Sequence, residues 1–342
     1  MRILTPMTPA IFGLAGLTLT DDERAFFREC DPAGYILFGR NIEMPDQVRA
    51  LTDELRTIHG RDKLLISIDQ EGGRVARMRP PHFSPFPAGS AFDALYEMAP
   101  SSAIAAARMN AHAMGIELAE AGITVDYYPS LDVRQHGAHD VIGDRSFGYE
   151  PLRVAAIGRA ILEGLSAAGV AGCIKHMPGH GRSAVDTHKE LPTVTASEAE
   201  LELDLAPFKA LADTPIGMTG HLVFPVWDAE LPATQSPTVI REVIRGKIGF
   251  NGLLLTDDLD MEALSGSVPE RAERSVAAGC DIALNCWAKM DDMVGIARRL
   301  PAMSDATAAR LQRALANTGV APQGDKEKLL AQRDELLALA AT

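Results

Sequence analysis

Cysteine is scarce. The 342-residue chain has four, Cys30, Cys173, Cys280 and Cys286, with no C-x-x-C pair among them. That excludes a disulfide framework, and the four read as small buried hydrophobes in a reducing compartment. Basic residues are outnumbered, 33 Lys and Arg against 46 Asp and Glu, for a net charge of −13. No cation surplus is available for a nucleic-acid surface. Long apolar runs are missing too, since no stretch reaches the ~20 residues that a membrane span requires. The apolar segment 10–19 follows Pro6 and Pro9 and runs into Thr20-Asp21-Asp22-Glu23 with no evident cleavage site. It does not read as a signal peptide, so the expectation is a soluble, cytoplasmic protein with no nucleic-acid or membrane partner. There is no internal repeat and no low-complexity tract.

What is present is ordinary globular material, 46% hydrophobic and 23% charged, enough for a sizeable core. Eight short β-branched or apolar runs recur, at 11–17, 34–38, 64–68, 124–128, 171–175, 216–219, 252–256 and 281–284. Each is too short for a helix and is bounded by Gly, Pro or polar residues. Helical patterns rich in Ala, Leu, Glu and Arg lie between them, as at 102–121 and 152–168. Several end in glycine just before the next run, at Gly122, Gly169 and Gly279, where a left-handed cap turns the chain back. Eight strand–helix alternations predict an α/β fold, a single closed (β/α)8 barrel of TIM type. An open dinucleotide-binding sheet would want G-x-G-x-x-G after the first strand, and Gly13-Leu14-Ala15-Gly16 does not supply it. A Gly/Pro/Gln segment at 317–324 precedes a final amphipathic helix at 325–341, expected to pack outside the barrel. Residues 1–342 therefore read as one domain, with 318–342 as a linker and extra helix, and no second domain is expected.

In such a barrel chemistry sits where strands end. Asp69-Gln70-Glu71-Gly72-Gly73-Arg74 and Arg77 follow the third run, and Lys175 and His176 end the fifth. His221 follows the sixth and Asp257-Asp258 the seventh. Each alone has a plainer reading. A strand-end Asp is usually a helix cap, a histidine such as His221 is usually a satisfied structural residue, and Gly72-Gly73 can be only a turn. Convergence at one rim is what argues for function, because buried charge is costly unless paired.

The run from Lys175 to His188 holds three histidines and an aspartate, His176, His180, Asp186 and His188. A metal-dependent barrel hydrolase is one reading. The spacing fits neither H-x-H nor H-E-x-x-H, however, and the middle is a Gly/Pro loop rather than a helix face. An Asp186–His188 pair, the carboxylate orienting the imidazole and raising its basicity, makes an acid/base that titrates near neutrality.

Four segments together resemble glycoside hydrolase family 3: Asp69–Val75, Gly143-Asp144-Arg145-Ser146-Phe147, the Lys175–His188 run and Thr256-Asp257-Asp258-Leu259. Within it they are similar to the short, NagZ-type β-N-acetylglucosaminidases. The resemblance implies Asp257 as nucleophile, His188 as acid/base and Asp186 as its partner. It implies Asp69, Arg77, Arg145, Lys175 and His176 as the residues that grip an N-acetylglucosamine unit, with no metal and no cofactor. The implied activity is retaining removal of terminal β-linked GlcNAc from GlcNAc-anhydroMurNAc muropeptides during peptidoglycan recycling. The expected partner is that small saccharide, and the expected state a monomer. Asp258 leaves one alternative open, catalysis assisted by the substrate's own acetamide. Consecutive strand residues point to opposite sides, which favours Asp257 acting alone. Phosphorolysis in place of hydrolysis is a further alternative, since a histidine base does not repel an anionic acceptor.

Overall fold

The structure, a computed structural model, describes residues 7–135, 142–183 and 191–340. Eight parallel strands run β1 (Thr8–Gly13), β2 (Pro32–Leu37), β3 (Leu65–Ile68), β4 (Val125–Asp126), β5 (Ala171–Met177), β6 (Ile216–Thr219), β7 (Leu253–Leu255) and β8 (Ala283–Asn285). Neighbours pair in chain order, and β8 returns to pair with β1. A bridge between Leu255 and Ile282 joins β7 to β8 and closes the barrel. The expected (β/α)8 fold is the one found.

Every strand is buried on both faces, and the period-2 alternation sorts its residues into two cores. Ile11, Ile36, Leu65, Val125, Cys173, Ile216, Met218, Leu253 and Leu255 fill the barrel interior. Ala10, Phe12, Tyr35, Leu37, Ile66, Ile68, Ile174 and Leu254 face the surrounding helices. The inward phase also selects what lines the mouth. Counting on by twos from Leu65, Cys173 and Leu253 reaches Asp69, Lys175 and Asp257 there.

Helices α1 (Asp21–Cys30), α2 (Pro45–His59), α3 (Gly89–Met98), α4 (Pro100–Glu120), α5 (Pro151–Ala167), α6 (Glu198–Ala210), α7 (Val268–Ala278) and α8 (Met290–Arg299) surround the strands. Two more come after them, α9 (Asp305–Ala314) and α10 (Lys326–Leu337), and a π-helical segment, Val239–Lys247, precedes β7. Helices α4 and α5 begin earlier than the sequence pattern suggested because Pro100 and Pro151 occupy their first positions, where a missing N–H costs nothing. The C-terminal helix begins one residue late because Asp325 caps it, its carboxylate accepting from the Lys328 N–H at 3.0 Å. It packs on α4, where Arg333 donates to Asn110 Oδ1 at 2.9 Å.

Two strand boundaries differ from the expected ones. Strand β1 ends at Gly13 rather than 17, and it begins earlier, including Pro9, because the pairing with β2 shifts register between Thr8 and Ile11. Strand β5 runs to Met177 rather than 175. Its charged residues are no breakers there, since each finds a partner within the barrel.

The closing seam has its own clamp below the strands. Asp281 is buried and accepts from Leu254 N at 2.9 Å, Arg245 Nη2 at 2.8 Å, Arg310 Nη1 at 2.8 Å and Thr307 Oγ1 at 3.1 Å. Asp281→Ala strands two half-buried guanidinium groups and a buried N–H. The expected cost is about 3 kcal/mol, the low end for breaking a buried pair because both arginines can reach water. Urea unfolding checks this, with Asp281→Asn expected to lose less because it still accepts from Leu254.

Candidate active site

The turn after β3 delivers two carboxylates. Asp69 continues the inward phase, and Gly72 and Gly73, at φ of +96° and +55°, fold the chain back so that Glu71 also faces the barrel axis. Gln70 fixes the turn from behind. Its side-chain oxygen accepts from Arg77 N at 2.8 Å and Met78 N at 3.1 Å, and its backbone N–H reaches Asp126 Oδ1 at 3.0 Å.

Between the two carboxylates lies the Lys175 ammonium, 2% exposed, at 2.9 Å from Asp69 Oδ1 and 2.7 Å from Glu71 Oε1. Arg145, from the segment after β4, grips Glu71 with two parallel bonds of 2.8 and 2.7 Å. Arg77 reaches Asp69 Oδ2 at 3.3 Å and lays its guanidinium over the Phe38 ring. Burial alone would raise both carboxyls. The adjacent cations win, holding Asp69 and Glu71 below the usual carboxylate range and Lys175 above its usual value.

The second half of the rim is built on Asp132, which is fully buried. Its Oδ2 accepts from His176 Nδ1 at 2.6 Å and Ser130 Oγ at 2.9 Å, and its Oδ1 from the His180 N–H at 2.7 Å. Burial opposes ionisation there too, and His176, with the His180 N–H, overcomes it. Burial, with His176 beside it, in turn pushes His180 down to about 4. With Nδ1 of His176 committed to Asp132, only Nε2 of that ring is left for a ligand.

Asp257 stands at the end of β7. Burial pushes its carboxyl up, but His176, His221 and the Asp258 N–H, 2.8 Å from Oδ1, bring it below the ordinary value. Asp258 points the other way, as the alternation requires. Burial and the nearby Asp260 keep it protonated well above the usual range. Asp260 in turn accepts from Asn285 Nδ2 at 2.8 Å and Cys286 N at 3.0 Å, tying the β7 end to the β8 end. His221 is buried, and that burial lowers its pKa. Nε2 lies 2.9 Å from the Asp258 carbonyl and must carry a hydrogen, and Nδ1 lies 2.8 Å from Thr234 Oγ1. His221 thus braces the backbone that carries Asp257.

Six of the eight expected site residues, Asp69, Arg77, Arg145, Lys175, His176 and Asp257, therefore stand around one rim. Asp186 and His188 lie outside the described residues. Among the described residues no group of three His, Cys, Asp or Glu side chains is placed to hold a metal ion. Glu71 and Asp132 were missed as site residues. Glu71 was visible only as part of a motif, and Asp132 sits too far beyond the expected end of β4 to count as a strand-end residue.

All of these groups belong to the C-terminal rim, where barrel enzymes carry out their reactions. In form this is a (β/α)8-barrel enzyme. The chain belongs to glycosyl hydrolase family 3, matching the family's N-terminal domain over residues 13–316. A beta-hexosaminidase of Alkalilimnicola ehrlichii is 40% identical over 283 residues, 81% of this chain and 80% of that one. One from Bordetella avium is 37% identical over 288 residues, covering 83% and 81%. The crystal structure of NagZ from Neisseria gonorrhoeae in complex with N-trifluoroacetyl-D-glucosamine superposes with a TM-score of 0.87 at 31% identity, covering 98% of each chain.

The ion cluster makes a stability prediction with a definite sign. A carboxylate held below its unfolded pKa, roughly 4, stabilises the fold above that pH and stops doing so as the pH falls through the folded value. Glu71→Gln should therefore lower stability at pH 7 by about 3 kcal/mol, and the gap from wild type should narrow below roughly pH 4. Urea midpoints measured from pH 7 to 3 check this. A gap that stays constant across the range would contradict the ionised pairing.

Proposed function

We propose that the protein is a retaining exo-β-N-acetylglucosaminidase that removes terminal GlcNAc through a covalent glycosyl-Asp257 intermediate. The observation that carries this reading is the state of Asp257. It is inward-facing at the strand-end rim of a family 3 barrel, held ionised by two imidazoles, with Oδ1 fixed by the Asp258 N–H and Oδ2 left to attack. The hexosaminidase relatives, and the N-acetylglucosamine analogue held by the gonococcal structure, support the sugar.

Glycoside cleavage needs capture of the anomeric carbon on one face and a proton for the leaving oxygen on the other. Asp257 Oδ2 bonds to C1 as the aglycone oxygen leaves, and His188, oriented by Asp186, gives that oxygen its proton. His188 then takes a proton from water, whose oxygen replaces Asp257 at C1. Asp69, Arg77, Arg145, Lys175 and His176 hold the glycone. Arg77 Nε is buried without a hydrogen-bond partner among the described residues, which suits donation to a sugar oxygen. Asp69 and Lys175, already paired, present a fixed acceptor and donor that need no reorganisation. Asp258, protonated and turned toward Asp260, is poorly suited to orienting an acetamide, which favours the covalent route over the substrate-assisted one.

The substrate is GlcNAc-anhydroMurNAc muropeptide, and the enzyme works as a single-domain monomer in the cytoplasm. Four buried cysteines, none in a disulfide, suit that reducing compartment, and no helix among the described residues is long and apolar enough to cross a membrane.

Asp257→Ala is expected to abolish turnover of p-nitrophenyl β-GlcNAc while leaving the unfolding midpoint nearly unchanged. An activated fluoro-sugar should leave an adduct on the peptide containing Asp257. A label on Asp258, or no label together with strong inhibition by an acetamide-derived thiazoline, would sink the covalent route. Turnover that rises with added phosphate would show the acceptor to be phosphate instead of water.

His188→Ala should slow natural disaccharide by ~10²–10⁴-fold but activated aryl glycosides far less, because a good leaving group departs unprotonated. Asp186→Ala should show the same pattern more weakly. Equal losses on both substrate types, or relief by zinc, would remove His188 from the acid/base role.

A further inference from the structure

The Asp257–Asp258 peptide has a front and a back. On the front, Asp257 faces the rim. On the back, the Asp258 side chain turns toward Asp260, and both stand half-buried in the wall of a recess between the ends of β7, β8 and β2. The two carboxyl groups are hydrogen-bonded to each other. Two carboxylates cannot make such a bond, because neither has a hydrogen to give. One of the pair must carry a proton.

The neighbours say which one. Asp260 Oδ2 accepts from Asn285 Nδ2 at 2.8 Å, Cys286 N at 3.0 Å and Trp287 N at 3.3 Å, and donors of that kind favour the ionised form. Asp260 Oδ1 is buried, and no N–H or hydroxyl of the described residues reaches it. Asp258 Oδ1 takes the Asp260 N–H at 3.0 Å, and the Cys286 thiol is hydrogen-bonded to the same carboxyl. A hydrogen on Asp258 directed at Asp260 Oδ1 therefore completes the one oxygen of the pair that is otherwise bare. Two cations face the pair, Arg40 from the turn after β2 and Arg271 from α7. Both spend their N–H groups on carbonyls, Arg40 on Leu14 and Cys286, Arg271 on Leu259, Met261 and Gly266. Glu262 and Lys289, opposite in charge, stand at the edge of the recess, and Asp257 is the remaining charged neighbour.

We propose that Asp258 and Asp260 form a carboxylic acid–carboxylate pair, Asp258 donating to Asp260 Oδ1, and that this pair is the positioning element for the nucleophile. The proposal rests on the glycosidase reading and adds what holds Asp257 in place. Through Asp260 Oδ2 the pair ties the chain after β7 to the end of β8. The backbone of Asp258 then works on the front side. Its N–H holds Asp257 Oδ1 at 2.8 Å, and its carbonyl takes the His221 Nε2 hydrogen at 2.9 Å. Fixing the Asp258 side chain from behind fixes that peptide, and with it the carboxylate in front. The proton has a second effect. An ionised Asp258 would set a like charge beside Asp257 and favour its protonated form, which cannot attack. The acid form adds no such charge. Both residues act through Asp257.

Two readouts test it, one of them independent of activity. Infrared difference spectra of wild type against Asp258→Asn should show, at neutral pH, a protonated-carboxyl band that the variant lacks. On p-nitrophenyl β-GlcNAc, Asp258→Ala should lower kcat about tenfold with KM little changed, the cost of loosening one reacting group. Asp258→Asn, neutral and able to donate to Asp260 Oδ1, should recover most of that loss. Asp260→Asn offers an amide hydrogen where Asp258 needs an acceptor, so Asp258 ionises beside Asp257. The like charge raises the Asp257 pKa, and the acidic limb of kcat/KM should move up by about one pH unit, which a merely structural role would not cause. Active wild-type enzyme without the band, an Asn variant at 258 as impaired as the Ala one, or an unmoved limb in Asp260→Asn would overturn the proposal. Wild-type protein that shows the band yet turns over no β-GlcNAc glycoside would instead remove the glycosidase reading, and the positioning role with it.

Discussion

A lysine ammonium almost completely withdrawn from water sits in the mouth of this barrel, and much of the rim is arranged around keeping it charged. An unpaired Lys175 would be intolerable there, so two carboxylates close on it, and the second of them, Glu71, is itself held by Arg145. Those four groups come from three separate places in the chain: the turn after β3, the segment after β4 and the strand β5. Pairing them fixes the relative positions of three stretches of rim to hydrogen-bond precision before any ligand arrives. The glycine turn at Gly72-Gly73, the Gln70 clamp and the extension of β5 past its expected end each serve that one arrangement.

The other half of the rim obeys the same logic with imidazole in place of ammonium. Asp132 is buried only because His176, the His180 N–H and Ser130 fill its oxygens. His176 and His221 together lower the Asp257 pKa against the carboxylate's own burial. Charge and a nearly dry setting oppose each other in a buried carboxylate. Here the histidines reconcile them without forming a salt bridge that would block Oδ2.

The barrel itself was legible because alternation of short apolar runs with helical patterns leaves few other folds for eight units. The strand ends were legible because charge directly after an apolar run stands out. Asp69, Lys175 and Asp257 could be picked as a set, since inward phase and strand end coincide in all three. Boundaries failed where a partner far along the chain decides them. Pro9 looks like a breaker unless the register shift with β2 is known, and Lys175-His176 looks like a strand terminus unless Asp69, Glu71 and Asp132 are there to receive them. Glu71 and Asp132 stayed hidden for the same reason: their roles lie in whom they touch, and neither local spacing nor residue type shows that. His221 could be read either way until its two ring nitrogens were seen to be committed to Thr234 and the Asp258 carbonyl.

The two ends of the barrel use the same materials to opposite effect. Asp281 at the lower seam and Glu71 at the mouth are both buried carboxylates held by arginine, and nothing in either residue alone tells their settings apart. The difference lies in what is left over. Around Asp281 both oxygens are filled by four donors, and the cluster is complete as a clamp. Around the mouth, Arg77 Nε, Asp126 Oδ2 and Asn285 Oδ1 are buried without hydrogen-bond partners, and His176 Nε2 and Asp257 Oδ2 are left uncommitted among the described residues. Buried polar atoms without partners cost stability, so a fold keeps them only where something else completes them. That deficit, present at the mouth and lacking at Asp281, is what distinguishes the two clusters. The rim tolerates so dense a charge cluster because its cations and carboxylates compensate one another.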